Sequence, residues 1–247
     1  MFFDSKEKLM DFLKYNLTFI GSGSQGECYL NVKNNTVYKI FLSYIEDSIC
    51  YNKKEDILKF SNINNKTFLF ANDVVMVNDD VVGYISKYVN ATNLYKINPL
   101  NVNLNNFEKL VSSSLNDVDN ISEKSIRLYD IPYNILLGRK LYVTDFDEFN
   151  YVDIDTQKLK NFNYHAFNIE LFWFLVDGYF DELVNDNNEL KEMYKNKENI
   201  ILFLKMYRKV LSEYVGFDID KLNKCKKYLN KRVSLKEPIY QRIIKSR

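Results

Sequence analysis

Short, largely apolar runs separated by Gly- and Asn-containing turns dominate the amino-terminal part of the chain. TFIGSG, ECYLNV and TVYKIF each fit a half-buried strand, and the turn Lys33-Asn34-Asn35, where Asn tolerates positive φ, joins the last two. Two longer runs, TFLFANDVVMV and VVGYISKYV, flank Asn78-Asp79-Asp80 and predict a second hairpin. Ahead of all of them, Asp4 followed by Glu7 makes a capping-box pattern that opens a short amphipathic helix carrying Met10, Phe12, Leu13 and Leu17. A further helix is predicted over about 45–60. The reading is an antiparallel sheet plus one helix, ending near residue 88.

The texture changes after Val89. Residues 90–106 are Asn-rich and read as a connector into a helix over about 106–118. Two short strand-like runs, 134–137 and 140–144, are split by Gly138-Arg139, and everything beyond about Asn163 follows a helical pattern. The expected class is therefore α+β, with a β-rich lobe over 1–88 and a mainly helical lobe over 89–247.

Composition narrows the chemistry. At 247 residues and 46% hydrophobic content the chain can fill a sizeable core unaided. A net charge of +1 exerts no global pull on nucleic acid or membrane. Residues 221–247 are the exception, with ten Lys/Arg against the single acid Glu237; this tail reads either as a solvated helix face or as a site for nucleic acid or an acidic partner. Cys28, Cys50 and Cys225 are scattered and odd in number, which argues against a disulfide framework and predicts a cytoplasmic protein. No apolar run approaches the roughly 18 residues of a spanning helix, so no membrane partner is expected. With one histidine, His165, in YHAFNIELFWFLV, zinc clusters lack ligands and a hydrolase triad has only a packed helix residue to use as base. The apolar setting of Phe167, Phe172, Trp173 and Phe174 reads as core packing rather than a stacking platform for bases.

Candidate chemistry starts at GSGSQGECYL. Gly21, Gly23 and Gly26 spell G-x-G-x-x-G, with strand-like residues on both sides, so the loop is a hairpin tip and not the strand-to-helix turn of a dinucleotide fold. Without a Cβ, such a loop can lie close over a nucleotide, its N–H groups facing phosphate oxygens. Lys39 supplies the cation. The two-residue period puts Val37, Lys39 and Phe41 on one face, and Glu55, or less favourably Glu46, is the acid a buried-looking lysine wants. Taken alone, Lys39 reads equally well as a solvent-facing strand lysine. Farther on, LYDIPYNILLGRKLYVTDFDEF sets Asp130, Asn134 and Asp145 at strand ends and turns. An Asp and an Asn oxygen suit Mg²⁺, and an Asp just before the Asn can orient a hydroxyl and accept its proton; the same residues also fit a plain turn around Pro132.

Together these motifs resemble a protein-kinase-like fold over about residues 18–180, in a small, divergent form close to bacterial-type Ser/Thr kinases and similar to aminoglycoside phosphotransferase-like kinases. The resemblance implies a two-lobed fold that binds ATP and Mg²⁺ and moves the γ-phosphate to a hydroxyl of a protein or small molecule. It implies that Gly21, Ser22, Gly23, Ser24, Gln25 and Gly26 form the glycine-rich loop, that Cys28 and Val37 lie at the adenine, and that Lys39, partnered by Glu55, holds phosphates. ISKYV resembles the hinge, with Ser86 at the gatekeeper place and Lys87, Tyr88 and Val89 as backbone partners of the base. YDIPYNILL resembles the catalytic loop and VTDFDEF the D-F-G segment, which implies Asp130 as base and Asn134 and Asp145 as metal ligands. FNIELFWFLVDGYF resembles the long buried helix of the large lobe. Four departures stand out. Asp130 and Asn134 are one residue closer than the usual spacing, Leu128 and Tyr129 replace His and Arg, Asp147 replaces the glycine of D-F-G, and no A-P-E pattern follows. A pseudokinase serving as an interaction module is the other class these departures leave open.

Overall fold

The computed structural model describes residues 1–46 and 53–228. The predicted helix over 45–60 lies partly outside that range, as do Cys50 and the basic tail from residue 229 onward. The chain is α+β and divides into two compact units: Met1–Asn64 with Leu69–Asn90, and Asn65–Phe68 with the described residues from Ala91 onward.

The first unit is built on a six-stranded sheet. Its elements are β1 (Phe2–Phe3), α1 (Lys6–Asn16), β2 (Thr18–Ser22), β3 (Gly26–Asn31), β4 (Thr36–Phe41), α2 (Leu42–Ile45), α3 (Lys54–Leu58), β5 (Ala71–Val77) and β6 (Asp80–Lys87). The strand order is β1-β5-β6-β4-β3-β2. Both hairpin turns use an asparagine in the left-handed region, Asn35 at φ 51° and Asn78 at φ 52°, because the short polar side chain lowers the cost of that conformation. The sheet is mixed, not antiparallel as expected, since β1 runs parallel to β5. Two residues are too few to show a period; the amides of Met76 and Asn78 capture them by donating to the carbonyls of Met1 and Phe3, each at 2.9 Å.

Helix α1 also differs in detail. Ser5, not Asp4, is the N-cap, its hydroxyl accepting from the Lys8 amide at 3.3 Å, while Asp4 pairs with the Lys8 ammonium. The buried residues are Leu9 and Leu13, with Met10 turned to solvent. They pack with Tyr38 and Ile40 of β4 and with Val75, Val77 and Val82, and each buried leucine contributes about 2 kcal/mol. One face of the sheet is thus sealed by α1. The alternation of β4 sends Lys39 to the opposite face. In place of one continuous helix over 45–60, α2 ends at Ile45 with its last carbonyls held by the Lys6 ammonium, and α3 starts at Lys54.

The second unit opens with β7 (Thr92–Asn93) and α4 (Leu104–Glu123), then β8 (Ile126–Arg127), β9 (Ile135–Leu137), β10 (Leu141–Val143) and β11 (Asn150–Tyr151). Four helices complete it: α5 (Thr156–Val176), α6 (Asp181–Asp186), α7 (Asn188–Asn196) and α8 (Ile200–Val215). The small strands form two patches, β10-β9-β7 and β11-β8. α5 carries the core, with Leu159, Phe167, Leu171, Phe172 and Phe174 fully buried. Its rings meet those of α4 and α8, Phe107 to Phe174 at 5.6 Å and Phe172 to Phe203 at 4.6 Å between centroids, so three of the four aromatics flagged in this helix are packing residues. Trp173 is only half-buried, with its ring 6.3 Å from that of Tyr133. His165 is exposed rather than packed, its Nδ1 donating to the Asn196 carbonyl at 3.1 Å. No helix among the described residues is long and apolar enough to cross a membrane.

Candidate functional site

In the first unit the loop and the lysine come together. Lys39 is 9% exposed; its ammonium donates to Gln25 Oε1 at 3.2 Å and lies 5.5 Å from the centre of the Tyr84 ring. The ladder explains the placement: Lys39 faces Cys28 across β3 and Tyr84 across β6, so the cation stands in a row of side chains beneath the hairpin that holds Gln25. A buried ammonium retains its charge only where polar or π-electron partners replace water. Val37 is aligned with Ser86, which is buried, and Cys28 is half-buried.

The three glycines separate into two kinds. A Cβ on Gly26 would stand 2.4 Å from the Ile40 carbonyl oxygen, so the approach of β4 alone demands glycine there. Gly21 and Gly23 have nothing within 4 Å of that position and neither has positive φ. Neither packing nor backbone conformation accounts for them. Ser22, Gly23, Ser24 and Gln25 are all exposed, and the Gly23 amide closes the tip by donating to the Gly26 carbonyl at 2.9 Å.

At the other end of β6, Lys87 is exposed and Tyr88 and Val89 are half-buried. The Tyr88 amide donates to the Asn35 carbonyl at 2.9 Å, so of the three backbone partners expected for a base, that amide is engaged within the fold. Glu55 occupies the exposed side of α3, whose Ile57 faces inward. Glu46, the weaker acid candidate, is the exposed C-cap of α2.

In the second unit the segment from β8 to Asp145 is laced by hydrogen bonds that join Asp130 to Asn134 and Asn134 to Thr144. Asn134 Nδ2 donates to the Asp130 carbonyl at 2.8 Å, and the Asn134 carbonyl accepts from the Thr144 amide at 3.0 Å and hydroxyl at 3.2 Å. Asn134 thereby ties Asp130 to the residue preceding Asp145. Three positions in this loop have left-handed backbone, Asp130 at φ 49°, Tyr133 at 72° and Asp145 at 60°. For a tyrosine such a conformation costs roughly 1–3 kcal/mol and survives only where surroundings enforce it, while aspartate, with its short polar side chain, adopts it more readily. The Asp130 side chain is exposed, while Asn134 and Asp145 are half-buried.

What enforces the loop is α5. Asn163, fully buried, accepts from the Leu128 amide at 2.8 Å and donates to the Ile126 carbonyl at 2.8 Å and to Ser122 Oγ at 2.9 Å. Two turns along, Glu170 is 4% exposed; its Oε2 accepts from the Ile135 amide at 3.3 Å, and its carboxyl also takes a hydrogen bond from the Tyr133 amide. Burial pushes this carboxyl up to about 8, against the downward pull of those two amides. Asn93 adds a third hold, donating to the Tyr133 carbonyl at 2.5 Å.

The sequence reading passed over Asn163 and Glu170 as members of a buried helix. A signal was there: Leu159, Asn163, Phe167, Glu170 and Phe174 share the core phase of α5, and a polar residue in that phase has backbone or side-chain work to do.

Asp145 and Asn134 offer one carboxylate and one carboxamide oxygen, a donor set that fits Mg²⁺, which keeps waters and phosphate oxygens for its remaining positions. Among the described residues no cluster of three or more His, Cys, Asp or Glu side chains could hold a metal ion. In comparison with known proteins, no family model matches the chain, and no curated protein matches it.

Proposed function

We propose that this protein is an ATP- and Mg²⁺-dependent phosphotransferase of the protein-kinase-like kind, moving the γ-phosphate to a hydroxyl acceptor, foremost Ser or Thr of a protein. One observation carries the reading. Asp130 and Asp145, the two acids assigned to acceptor and metal, both stand in left-handed backbone, and Asn134 bonds to Asp130 and to Thr144, the residue before Asp145. Left-handed backbone outside glycine clusters at active sites.

In this reading the first unit handles the nucleotide. Lys39 and the amides near Gly23 oppose phosphate charge, and the open space at Gly21 and Gly23 is what close approach of a ligand needs. The second unit handles the transfer. Asp130 aligns the acceptor hydroxyl and takes its proton as that oxygen bonds to the γ-phosphorus and the bond from phosphorus to the β,γ-bridging oxygen breaks, releasing ADP. Asn134 and Asp145 would hold the magnesium, which when bound offsets charge on the phosphates. Catalysis is chiefly positioning and charge neutralisation.

The acceptor class follows from what precedes α5. Residues 146–155 are all that separate Asp145 from Thr156, and Asn150–Tyr151 is taken up by pairing with β8. So short a segment offers little for docking an extended peptide, which favours a hydroxyl presented on a folded surface; a small-molecule hydroxyl suits it too. The missing residue between Asp130 and Asn134 favours the second reading, a pseudokinase acting as an interaction module.

Turnover of γ-labelled ATP with Mg²⁺ separates the two. Lys39→Ala and Asp145→Ala should each lower the rate about 100-fold, while Lys33→Ala in the exposed hairpin turn should leave it unchanged. Absence of turnover in the wild type with any acceptor, itself included, would leave the interaction module.

A further inference from the structure

We propose that Glu170 is a positioning residue: its buried carboxyl holds the backbone at 133–135 so that the Asn134 carboxamide stays turned toward Asp130. The inference rests on the phosphotransferase reading only for what that geometry is used for.

Three observations meet at this side chain. First, Glu170 lies in the core phase of α5 among Phe167, Leu171 and Phe174, all fully buried, where a leucine would pack without desolvating a polar group. Second, its carboxyl serves the amides of Tyr133 and Ile135, the residues on either side of Asn134, with Oε2 on that of Ile135. Those amides point inward, and without an acceptor they would be buried donors with no bond. Third, Tyr133 is held at φ 72°, which a tyrosine does not adopt unless its neighbours impose it.

The geometry of Asn134 follows. Its own amide is spoken for by the Ile131 carbonyl at 2.9 Å and its carbonyl by Thr144. With both flanking amides held by one carboxyl, the backbone on either side of Asn134 is fixed, and from it Nδ2 reaches the Asp130 carbonyl at 2.8 Å. This bond leaves Oδ1 as the atom available for a cation. Were the clamp released, Tyr133 could relax to negative φ and the carboxamide would lose its aim. Asn163 does a different job on the same helix, fixing the incoming strand at Ile126 and Leu128.

Two variants of the full-length protein test this. Glu170→Gln retains an amide-accepting oxygen of the same reach, and Glu170→Leu retains packing without the acceptor. Residue-resolved NMR hydrogen exchange should show the amides of Tyr133 and Ile135 and the Asn134 side-chain NH₂ exchanging at least tenfold faster in Glu170→Leu, with Glu170→Gln close to wild type and the amides of Phe167 and Leu171 unchanged in both. In turnover assays, kcat should fall tenfold or more in the leucine variant with KM for ATP unchanged, and recover in the glutamine variant. If the three exchange rates at 133–135 are the same in Glu170→Leu as in wild type, the positioning role is wrong whatever the activity. If exchange responds as expected while the wild type transfers no phosphate, the clamp stands and the phosphotransferase reading falls.

Discussion

The hairpin around Gly23 is held by a strand ladder between neighbours in sequence, while the loop around Asp130 is held by side chains of a helix some 35 residues downstream. In the first case register alone decides which side chain faces which: Cys28, Lys39 and Tyr84 line up because three antiparallel strands are paired in one phase. In the second, no regular element covers residues 128–134, and three of their neighbourhood's backbone angles are unfavourable. The lesson is that a sheet positions chemistry through a repeating backbone pattern, whereas an irregular loop needs individual polar groups buried beneath it, each with its own desolvation cost.

Perturbing the loop's support should therefore have the largest effect. Asn163→Ala deletes three buried hydrogen bonds and leaves the Leu128 amide without an acceptor, which should cost about 3 kcal/mol of stability, read as a drop in the urea midpoint at constant slope. An unchanged midpoint would mean that the loop is held some other way. The ladder is tested at Gly26, where alanine must push the Ile40 carbonyl aside and should cost about 2 kcal/mol.

The acid–base behaviour of Glu170 sharpens the contrast further. Its folded value, about 8, stands above the usual 4.5, so between those two values the folded state binds more protons than the unfolded one. The stabilisation is complete below about pH 4.5 and is lost as pH rises toward 8, at no more than about 1.4 kcal/mol per pH unit. Wild type should lose stability relative to Glu170→Gln across that window. Parallel stability curves would show that the carboxyl is not protonated in the fold.

The smallest effect should be at the hairpin tip. Gly23→Ala meets no atom within 4 Å and no positive φ, so folding stability should hold or rise by about 0.5 kcal/mol through a stiffer unfolded chain. Its thermal shift on adding Mg-ATP should nevertheless shrink. A full shift in this variant would remove the ligand explanation for that glycine and leave it without a role.

Much of the first unit was legible beforehand for the same reason that it is held simply. The strands β4 and β6 are short runs rich in β-branched and aromatic residues, the turns carry asparagine where positive φ falls, and Lys39 sits in phase with Val37. The parts misread are those where a nearby partner outweighed the local pattern. Ser5 won the cap of α1 from Asp4, which turned to Lys8, and Phe2–Phe3 became a parallel edge strand only because β5 had unpaired amides to offer. In the second unit Asp130, Asn134 and Asp145 were recognisable as residue types, but β7, β8 and β11 are two residues each and leave no periodic trace.

Sequence by itself determined the α+β class of the fold and the face of β4 that carries Lys39. Those rest on periodicity and side-chain chemistry, which are local. Tertiary structure alone decided that Gly26 serves the fold while Gly21 and Gly23 are unconstrained by it, and that Asn163 and Glu170 hold the loop. Those depend on which backbone groups the packing of α5 and β4 leaves within 3 Å or so of a side chain, and no spacing along the chain encodes that distance.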